Sequence, residues 1–338
     1  MRSIILEEPG RLSMTSSAAA PELKLGEALV RPRRVGICGT DLHAFVGKQP
    51  FFNYPRVLGH ELGVEIISVP ENKEGLTPGD LCAVEPYLNC EQCIACRRKR
   101  PNCCVRMQVV GVHVDGGMRE LIAVPIRKLH KSNTLSLDQL ALVEPLSIGA
   151  HAVGRAELEP GEVALVIGAG PIGLAVALFA QLAKARVLVM DVNQARLDFC
   201  HQLLGAHSII ANPSNVVAQL EQTVGGDLPT TVFDATGNQQ SMAEAFNYVA
   251  HSGQLIFVGL FQGTVSFDDP NFHRRELTLM SSRNATAKDF RDVMTRLENG
   301  QIEVASWISH RTVFTDVPRE FPGWVKRESA FIKAVVEL

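Results

Sequence analysis

The sequence has no excess of positive charge and no long hydrophobic run, and each absence excludes a class of partner. Its 33 Lys and Arg residues are outnumbered by 36 Asp and Glu residues, which gives a formal net charge of −3. A nucleic-acid-binding protein usually carries a basic face. No apolar run reaches the roughly 18–20 residues that a membrane-spanning helix requires. We therefore expect neither nucleic acid nor a membrane as a partner.

The N-terminal sequence MRSIILEEPG also lacks the pattern of a secretory signal, because its apolar stretch is short and acidic residues follow at once. Eight cysteines in a chain without such a signal favour metal binding over disulfides. We expect a cytoplasmic protein. The length of 338 residues, with 46% hydrophobic and 20% charged residues, predicts a globular protein of two domains.

Helical periodicity of useful length is missing before about residue 136, apart from a possible turn after Asp41. The apolar segments SIIL, EALVRP and VEIISV are short and are interrupted by proline, glycine or charge, which is typical of strands. The N-terminal part is therefore predicted to form a small all-β barrel or sandwich.

The stretch from Gly36 to Glu61 contains a cysteine, Cys38, and a GHE triplet with His60. A thiolate and an imidazole are ligands of open zinc sites, where the metal lowers the pKa of a bound alcohol. Thr40 and His43 stand where a relay could carry the released proton to water. The alternative is a buried cysteine that only packs, accompanied by incidental histidines.

A second carboxylate, Glu144, lies within the apolar segment SLDQLALVEPLSIGAHAV, which predicts a helix over 136–153 capped by Ser136. A buried carboxylate requires a partner, and a metal ion is one. A carboxylate that faces water at a helix end is the alternative.

The segment CEQCIACRRKRPNCC carries Cys90, Cys93, Cys96 and Cys104 at the spacing C-x2-C-x2-C-x7-C. Four such thiolates can close a tetrahedral shell around a structural zinc ion. An iron–sulfur cluster uses similar spacings, and the adjacent Cys103 competes with Cys104 as the fourth ligand. The basic run 97–100 is interpreted as a solvated loop.

The segment GEVALVIGAGPIGLAVALFAQLAKARVLVMDVN (161–193) predicts strand, glycine turn, helix and second strand. In this context G-x-G-x-x-G predicts a dinucleotide site, with pyrophosphate at the helix N-terminus. Asp191 ends the second strand and favours NAD, because a carboxylate there accepts from ribose hydroxyls and repels the 2′-phosphate of NADP. The predicted cofactor residues are Gly168, Gly170, Pro171, Ile172, Gly173, Asp191, Arg196, Gly259 and Leu260. For Arg196, an exposed helix position is the alternative.

Together these motifs resemble those of the zinc-dependent medium-chain alcohol dehydrogenases. The resemblance covers nearly the whole chain and rests on GICGTDLH, GHE, the four-cysteine segment, DGG, VEPLSIGAHAV and VIGAGPIG, in the order of that family. It implies an α/β plus β architecture. A GroES-like β-barrel catalytic domain would span 1–152 and 288–338, and a doubly wound parallel-sheet (Rossmann) domain that binds NAD would span 153–287. A homodimer or homotetramer is also implied.

The same resemblance implies two zinc ions per chain. Cys38, His60 and Glu144 would bind the catalytic ion, with Glu61 entering or leaving its shell, and the four cysteines would bind the structural ion. Thr40 and His43 match the proton-relay positions of the family. Glu144 stands where the simple alcohol dehydrogenases carry cysteine, which points to the polyol and threonine dehydrogenase branch.

Within that branch the sequence is similar to bacterial sugar-acid dehydrogenases of the L-galactonate 5-dehydrogenase kind, through QPFFNYPRVLGHE, NCC, GVHVDGG, DATGNQ, VGLFQG and SRNAT. The implied reaction is the NAD-linked interconversion of a secondary alcohol and a ketone on a hexonate. L-threonine or a polyol such as sorbitol is the alternative substrate. A redox-silent binding protein would have lost the ligand set, and a zinc-free NADPH-dependent reductase is disfavoured by Asp191 and the cysteine segment.

Overall fold

The computed structural model describes residues 1–16, 19–211, 215–326 and 332–338. These residues divide into two compact units, residues 1–147 with 285–338 (unit 1) and residues 148–284 (unit 2). The domain limits inferred from the sequence, 1–152 with 288–338 and 153–287, stay a prediction beside this division. Within the described ranges, no helix combines the length and the apolar character needed to cross a membrane.

The N-terminal segment of unit 1 is built of short strands with few helices. Its elements are β1 (Ser3–Glu8), β2 (Arg11–Thr15), β3 (Glu27–Ile37), α1 (Gly39–Phe45), β4 (Arg56–Val57), β5 (Glu61–Ser68), β6 (Leu81–Val84), β7 (Tyr87–Leu88), α2 (Ile94–Arg97), β8 (Gln108–Val109), β9 (Ile122–Pro125), β10 (Leu129–Lys131) and the first half of α3 (Leu137–Ala156), whose residues from 148 onwards belong to unit 2.

Unit 2 alternates strands and helices. Its elements are β11 (Val163–Ile167), α4 (Pro171–Leu182), β12 (Arg186–Asp191), α5 (Gln194–Leu204), β13 (His207–Ile210), α6 (Val216–Val224), β14 (Thr231–Asp234), α7 (Gln239–Glu244), β15 (Gln254–Phe257), α8 (Asp269–Arg274) and β16 (Thr278–Ser281). The chain then returns to unit 1 with α9 (Ala287–Glu298), β17 (Ile308–Val313), α10 (Val317–Lys326) and β18 (Lys333–Glu337).

The main sheet of unit 1 joins the beginning and the end of the chain. Within the described ranges its strand order is β10-β6-β5-β3-β18-β17, with β9 also paired to β3. The last strand, β18, lies antiparallel to β3 and parallel to β17. A three-stranded sheet β2-β1-β4 and the ribbon β7-β8 complete the strands that the structure shows in this unit.

The sheet of unit 2 has the order β13-β12-β11-β14-β15-β16 across the described residues, and each printed pair is parallel. This is the doubly wound order in which a dinucleotide binds at the carboxyl ends of the strands. Its strands are near-continuous apolar runs because helices cover both faces of such a sheet. The predicted strand VALVIG corresponds to β11, with four of its five residues buried.

Two predictions of local structure need correction. Hydrophobic periodicity gave no helix of useful length before residue 136, apart from a turn after Asp41. That turn belongs to α1, whereas α2 was not predicted; the two helices span only seven and four residues, too short for a periodic pattern to show. The segment SMAEAFNYVA (241–250) has the pattern of a single helix, but α7 stops at Glu244 and a 3₁₀ turn follows over Ala245–Tyr248. The predicted cap of α3 is confirmed, since Ser136 Oγ accepts from the N–H of Gln139 at 3.2 Å.

Candidate active site and cofactor site

The first cluster of donor atoms in unit 1 consists of Cys38, His60 and Glu61, with the thiol, imidazole and carboxylate atoms all within 4.8 Å of one another. Cys38 stands at the junction between β3 and α1, and Glu61 is the first residue of β5. The antiparallel pairing of β3 with β5 places Gly36 opposite Glu61. This register brings together two segments that are separated in sequence.

Glycine is required at position 36 because the Glu61 carboxylate occupies the space of a side chain. A Cβ atom on Gly36 would lie 2.1 Å from Oε2 of Glu61. On its other side, Glu61 accepts from the ammonium group of Lys333, at 2.6 Å to Oε1 and 2.8 Å to Oε2. Lys333, which is 1% exposed, also donates to the carbonyl of Ile37 at 3.2 Å. Glu61 is therefore held in a buried ion pair beside Cys38.

Behind His60 lies Asp41, which is 1% exposed. Its Oδ2 accepts from the N–H of Cys38 at 2.9 Å, while its Oδ1 lies 3.7 Å from Nδ1 of His60. Among the described residues these two facing atoms are buried without a hydrogen-bond partner. A histidine that binds a metal with one ring nitrogen usually directs its other N–H to a carboxylate. The placement of Asp41 fits such a histidine.

Glu144 joins the same region from α3, where it is buried. The hydroxyl of Tyr87 donates to Oε1 of Glu144, and Tyr87 is also buried. The negative charge of Glu144 acts on His60, which places the carboxylate near the cluster. Glu144 thus joins the region of Cys38, His60 and Glu61, in which Cys38 is half-buried and the other three residues are buried.

The charges of this region suit a bound cation. Burial would lower the pKa of His60, but the charges of Asp41 and Cys38 outweigh burial and raise that pKa well above its usual value. Burial raises the pKa of Glu144 to about 7, and the neighbouring Glu61 adds to the effect. Three buried carboxylates, those of Asp41, Glu61 and Glu144, therefore face one buried lysine and one buried imidazole. A divalent zinc ion would balance this negative charge, and thiolate, imidazole and carboxylate are its usual ligands.

Thr40 and His43 lie on α1, three residues apart, and therefore project from the same side of the helix. Thr40 lies in the first turn, next to Cys38, and is half-buried, whereas His43 lies in the last turn and is exposed. Burial of the ring, with a smaller effect of Lys48, lowers the pKa of His43. The helix thus places a hydroxyl at the buried end and an imidazole at the solvent end.

The second donor cluster is the cysteine loop, defined as residues 90–104. The sulfur atoms of Cys90, Cys93, Cys96 and Cys104 lie within 4.8 Å of one another. Sγ of Cys93 is 3.5 Å from that of Cys96 and 3.9 Å from that of Cys104. Zinc–sulfur bonds of about 2.3 Å place tetrahedral ligands about 3.8 Å apart. These separations fit four thiolates on a single ion, whereas an iron–sulfur cluster, which has several atoms between its ligands, would spread them further.

The electrostatics of the cysteine loop favour thiolates at Cys90 and Cys93, whereas burial raises the pKa of Cys104 to about 11 in the absence of a metal charge. Backbone N–H donation from Gln92 and a hydrogen bond from Arg106 lower the pKa of Cys90 to about 5. Cys104 is buried, and its sulfur accepts from the N–H groups of Cys90 and Arg106 at 3.2 and 3.4 Å. Cys103 is exposed. The geometry therefore places Cys104, and not its neighbour, beside the other three sulfurs.

In unit 2 the glycine turn has the conformation that a dinucleotide site requires. Gly168 has φ +96°, in the left-handed region. A Cβ on Gly173 would lie 1.6 Å from the carbonyl oxygen of Gly168, so only glycine permits this approach of α4 to β11. At Gly170 a Cβ would meet nothing within 4 Å. The open space before the N-terminus of α4, which begins at Pro171, fits a pyrophosphate group.

Asp191 is oriented by the same turn. Its Oδ2 accepts from the N–H of Ala169 at 2.6 Å, and its Oδ1 accepts from the N–H of Asn193 at 2.8 Å. A cavity of about 410 Å³ opens beside it, a size typical of ligand pockets. Of the predicted cofactor residues, those that line this cavity are Gly168, Gly170, Asp191 and Arg196.

The remaining predicted cofactor residues lie elsewhere in unit 2. Pro171, Ile172 and Gly173 form the first turn of α4, whereas Gly259 and Leu260 follow the end of β15. A Cβ on Gly259 would lie 2.2 Å from the backbone nitrogen of Gly237, and Leu260 is exposed. These five residues are not among those that line the 410 Å³ cavity in the described part of the chain.

Sequence reasoning missed several residues of both sites. Asp41 could have been found, because it follows Cys38 at the N3 position of a helix. Lys333 could also have been noticed, since a lysine within the apolar strand IKAVV indicates a buried cation. Tyr87 gave no local signal. In the cofactor cavity the missed polar lining residues are Thr236, Asn238, Gln240, Ser241, Glu244 and Tyr248.

Comparisons with known protein families agree with this architecture. Residues 24–134 match the family described as "Alcohol dehydrogenase GroES-like domain", and residues 171–299 match "Zinc-binding dehydrogenase". With the parallel sheet of unit 2, these matches confirm the predicted fold class, a GroES-like domain combined with a Rossmann domain.

The names of two curated relatives describe them as sugar-acid dehydrogenases. The chain is 43% identical over 310 residues to L-galactonate-5-dehydrogenase of Escherichia coli (strain K12), covering 92% of this chain and 91% of the relative. It is 31% identical over 322 residues to 2-dehydro-3-deoxy-L-galactonate 5-dehydrogenase of Pseudoalteromonas atlantica, covering 95% and 93%. Both names specify oxidation at carbon 5.

A solved structure shares the whole architecture. The alcohol dehydrogenase RspB from E. coli CFT073, complexed with the cofactor NADH, superimposes with a TM-score of 0.91 at 28% identity. The alignment covers 100% of this chain and 99% of that one.

Proposed function

The chain belongs to the zinc-binding alcohol dehydrogenases with a GroES-like domain, and on that basis we propose that it oxidises a secondary hydroxyl of a six-carbon sugar acid to a ketone. Bound NAD would serve as the hydride acceptor, and the interconversion of alcohol and ketone is reversible. The observation that carries the proposal is the cluster of Cys38, His60 and Glu61, whose donor atoms lie within 4.8 Å of one another, together with the buried Glu144 nearby; these atom types fit a catalytic zinc ion. The proposed structural zinc ion is bound by the cysteine loop.

A zinc ion held by Cys38 and His60, with a carboxylate completing the shell, supplies the Lewis acidity that lowers the pKa of the substrate hydroxyl. Thr40 receives the hydroxyl proton and passes it towards His43, whose exposed ring releases it to water. Asp41 holds the imidazole of His60 in orientation from behind. Lys333 keeps Glu61 in an ion pair beside the ligand set.

The cofactor is held by unit 2. Asp191 accepts from the ribose hydroxyls of NAD and repels the 2′-phosphate of NADP. Gly170 and the first turn of α4 hold the pyrophosphate, where the helix dipole stabilises negative charge. Arg196, which lines the same cavity, would contact the adenosine part of NAD. Bound NAD supplies the hydride acceptor, so each turnover converts the alcohol and NAD⁺ to the ketone, NADH and one proton.

The substrate class rests on the relatives. Two sugar-acid dehydrogenases that each cover more than nine-tenths of this chain oxidise carbon 5 by their names. We propose L-galactonate or a close hexonate as the substrate, with the hydroxyl at carbon 5 oxidised. The protein works as a homodimer or homotetramer in the cytoplasm; the family resemblance supports the oligomer, and the free thiols support a reducing compartment.

The test is NAD reduction, followed by NADH absorbance, on a panel of aldonates, polyols and L-threonine, with and without a chelator. We expect a chelator-sensitive signal with L-galactonate that exceeds the signals with sorbitol and L-threonine. Activity confined to threonine or to a polyol would contradict the substrate class while leaving the zinc chemistry intact. Turnover that survives complete zinc removal would contradict the mechanism.

A further inference from the structure

We infer that Tyr87 is a positioning residue for the catalytic metal: its hydroxyl holds one oxygen of Glu144 and leaves the other oxygen for the ion. The inference rests on the proposed function, since it assigns Glu144 to the metal shell. The carrying observation is the hydrogen bond from the Tyr87 hydroxyl to Oε1 of Glu144. Both residues are buried, so water does not compete for this bond.

The position of the Tyr87 ring is fixed by rigid neighbours. Tyr87 belongs to β7, where it pairs with Val109 of β8, and the N–H of Val110 donates to the carbonyl of Pro86 at 3.0 Å. The edge of its ring meets Phe290 of α9, with ring centroids 6.3 Å apart and planes at 82°. The ribbon β7-β8 also flanks the cysteine loop, which follows β7 and precedes β8. The hydroxyl is therefore set by the scaffold and not by Glu144.

The two carboxylates near Cys38 have partners of different charge. Both oxygens of Glu61 accept from the ammonium group of Lys333, so the charge of Glu61 is already balanced. The hydrogen bond that Glu144 accepts comes from a neutral phenol, so this contact does not balance the charge of the carboxylate. A hydrogen bond to a ligating carboxylate fixes its orientation and raises metal affinity. Tyr87 thus holds the carboxylate that the family resemblance assigns to the resident shell, whereas Glu61, whose carboxylate lies within 4.8 Å of the donor atoms of Cys38 and His60, is held by Lys333.

The test is the variant Tyr87→Phe, which keeps the ring and its packing on Phe290 and removes only the hydroxyl. We expect the catalytic-site zinc to be lost to a chelator at about 10–100-fold lower chelator concentration than in the wild type. The zinc of the cysteine loop should be retained. In enzyme carrying Co²⁺ at the catalytic site, the visible absorption bands should shift, because the ligand geometry changes. NADH affinity should stay unchanged, since the cofactor residues lie in unit 2.

The matched control is Tyr54→Phe. The Tyr54 hydroxyl donates to the backbone carbonyl of Ala44, so its removal is the same chemical change away from Glu144. Metal affinity and the Co²⁺ spectrum should stay at wild-type values. In a Glu144→Ala background, Tyr87→Phe should add no further loss of metal affinity, because the tyrosine acts through the carboxylate.

The outcomes separate this inference from the proposed function. If the wild-type enzyme holds two zinc ions and Tyr87→Phe shows the same metal affinity and the same Co²⁺ bands, the role of Tyr87 is overturned and the proposed function is not. The role of Tyr87 would also be overturned if Tyr87→Phe reduced metal affinity equally in the wild-type and the Glu144→Ala backgrounds. A wild-type enzyme that holds only the zinc of the cysteine loop would overturn the proposed function, and the inference with it.

Discussion

Lys333 neutralises a carboxylate next to the candidate metal ligands while almost wholly removed from water. The ammonium group lies within 2.8 Å of both Glu61 oxygens. Burial would lower the pKa of Lys333, but the charge of Glu61 outweighs it and raises that pKa. A buried ion pair stabilises the fold little more than apolar packing at the same place would. Removing one partner is nevertheless strongly destabilising, because the other charge stays buried without a partner.

We therefore expect Lys333→Met to destabilise the protein by about 3–5 kcal/mol, measured by urea unfolding. The double variant Lys333→Met/Glu61→Gln should regain part of this loss, since it no longer buries an unpaired charge. Equal stability of the single variant and the wild type would show that the ion pair does not form.

Residue roles were predictable where the partners are close in sequence. The four cysteines lie within one loop, and Thr40 and His43 lie within one short helix, so spacing alone brings each group together. Tyr87 and Glu144 are separated by 57 positions, and Lys333 and Glu61 by 272. Such pairs depend on strand order and register, which a pattern of residues along the chain does not specify.

The β11–α4–β12 element was predictable in full because its chemistry and its fold use the same residues. Gly168 and Gly173 permit the turn, and that turn also orients Asp191 through the N–H of Ala169. Backbone requirements and cofactor chemistry therefore left the same signature in the sequence. The other lining residues of the cavity lie on later elements and carry no such signature.

The Asp191→Ser variant should lose its preference for NAD. We expect the KM for NAD to rise about tenfold to hundredfold, because hydrogen bonds to a charged acceptor are lost, and the kcat/KM for NADP to rise relative to that for NAD. Steady-state kinetics with both cofactors provides the measurement. The control Asp198→Ser removes an exposed carboxylate of α5 and should change neither the KM for NAD nor the preference for NAD over NADP. An unaltered cofactor ratio in Asp191→Ser would refute its assignment.

The cysteine loop offers an internal comparison between two adjacent thiols. Cys104→Ser should reduce bound zinc by one ion per chain. It should lower Tm by roughly 6–12 °C, the shift expected for a loss of about 3 kcal/mol in a domain of this size. Cys103→Ser should retain both zinc ions, because Cys103 is exposed and its neighbour occupies the fourth position. Metal analysis decides the assignment, and the opposite pattern would make Cys103 the ligand.

At the scale of the molecule, unit 1 is formed by two distant parts of the chain. Strand β18 closes the sheet between β3 and β17, and a group of charged side chains joins the same parts. Asp138 of α3 accepts from Nε of Arg34 at 3.0 Å and from Nη2 of Arg311 at 2.5 Å. Glu337 of β18 also lies 3.3 Å from Arg311. The end of the chain is thus tied to its beginning by hydrogen bonds and by charge.

This ion pairing predicts a pH-dependent contribution to stability. Burial would raise the pKa of Asp138, but hydrogen bonding and charge from Arg311 and Arg34 outweigh burial and lower that pKa. The stabilisation is thus fully present above the unfolded pKa of about 3.9 and is lost as the pH falls through the lower folded pKa. Asp138→Asn should cost about 1–2 kcal/mol at neutral pH, with the difference vanishing in strong acid.

Urea unfolding at neutral and strongly acidic pH measures that difference. The control Asp292→Asn removes a solvent-exposed partner of Lys288 and should have almost no effect at either pH. A loss in Asp138→Asn that is the same at both pH values would mean that packing, and not charge, is responsible.

The central claim is that a zinc ion bound through Cys38 drives NAD-linked oxidation, and Cys38→Ser tests it most directly. Metal content, NADH binding and NAD reduction with L-galactonate are measured on the same preparation of this variant. We predict one zinc ion fewer per chain, an NADH affinity equal to that of the wild type, and no measurable turnover. Retention of both zinc ions with near-wild-type turnover would contradict the account.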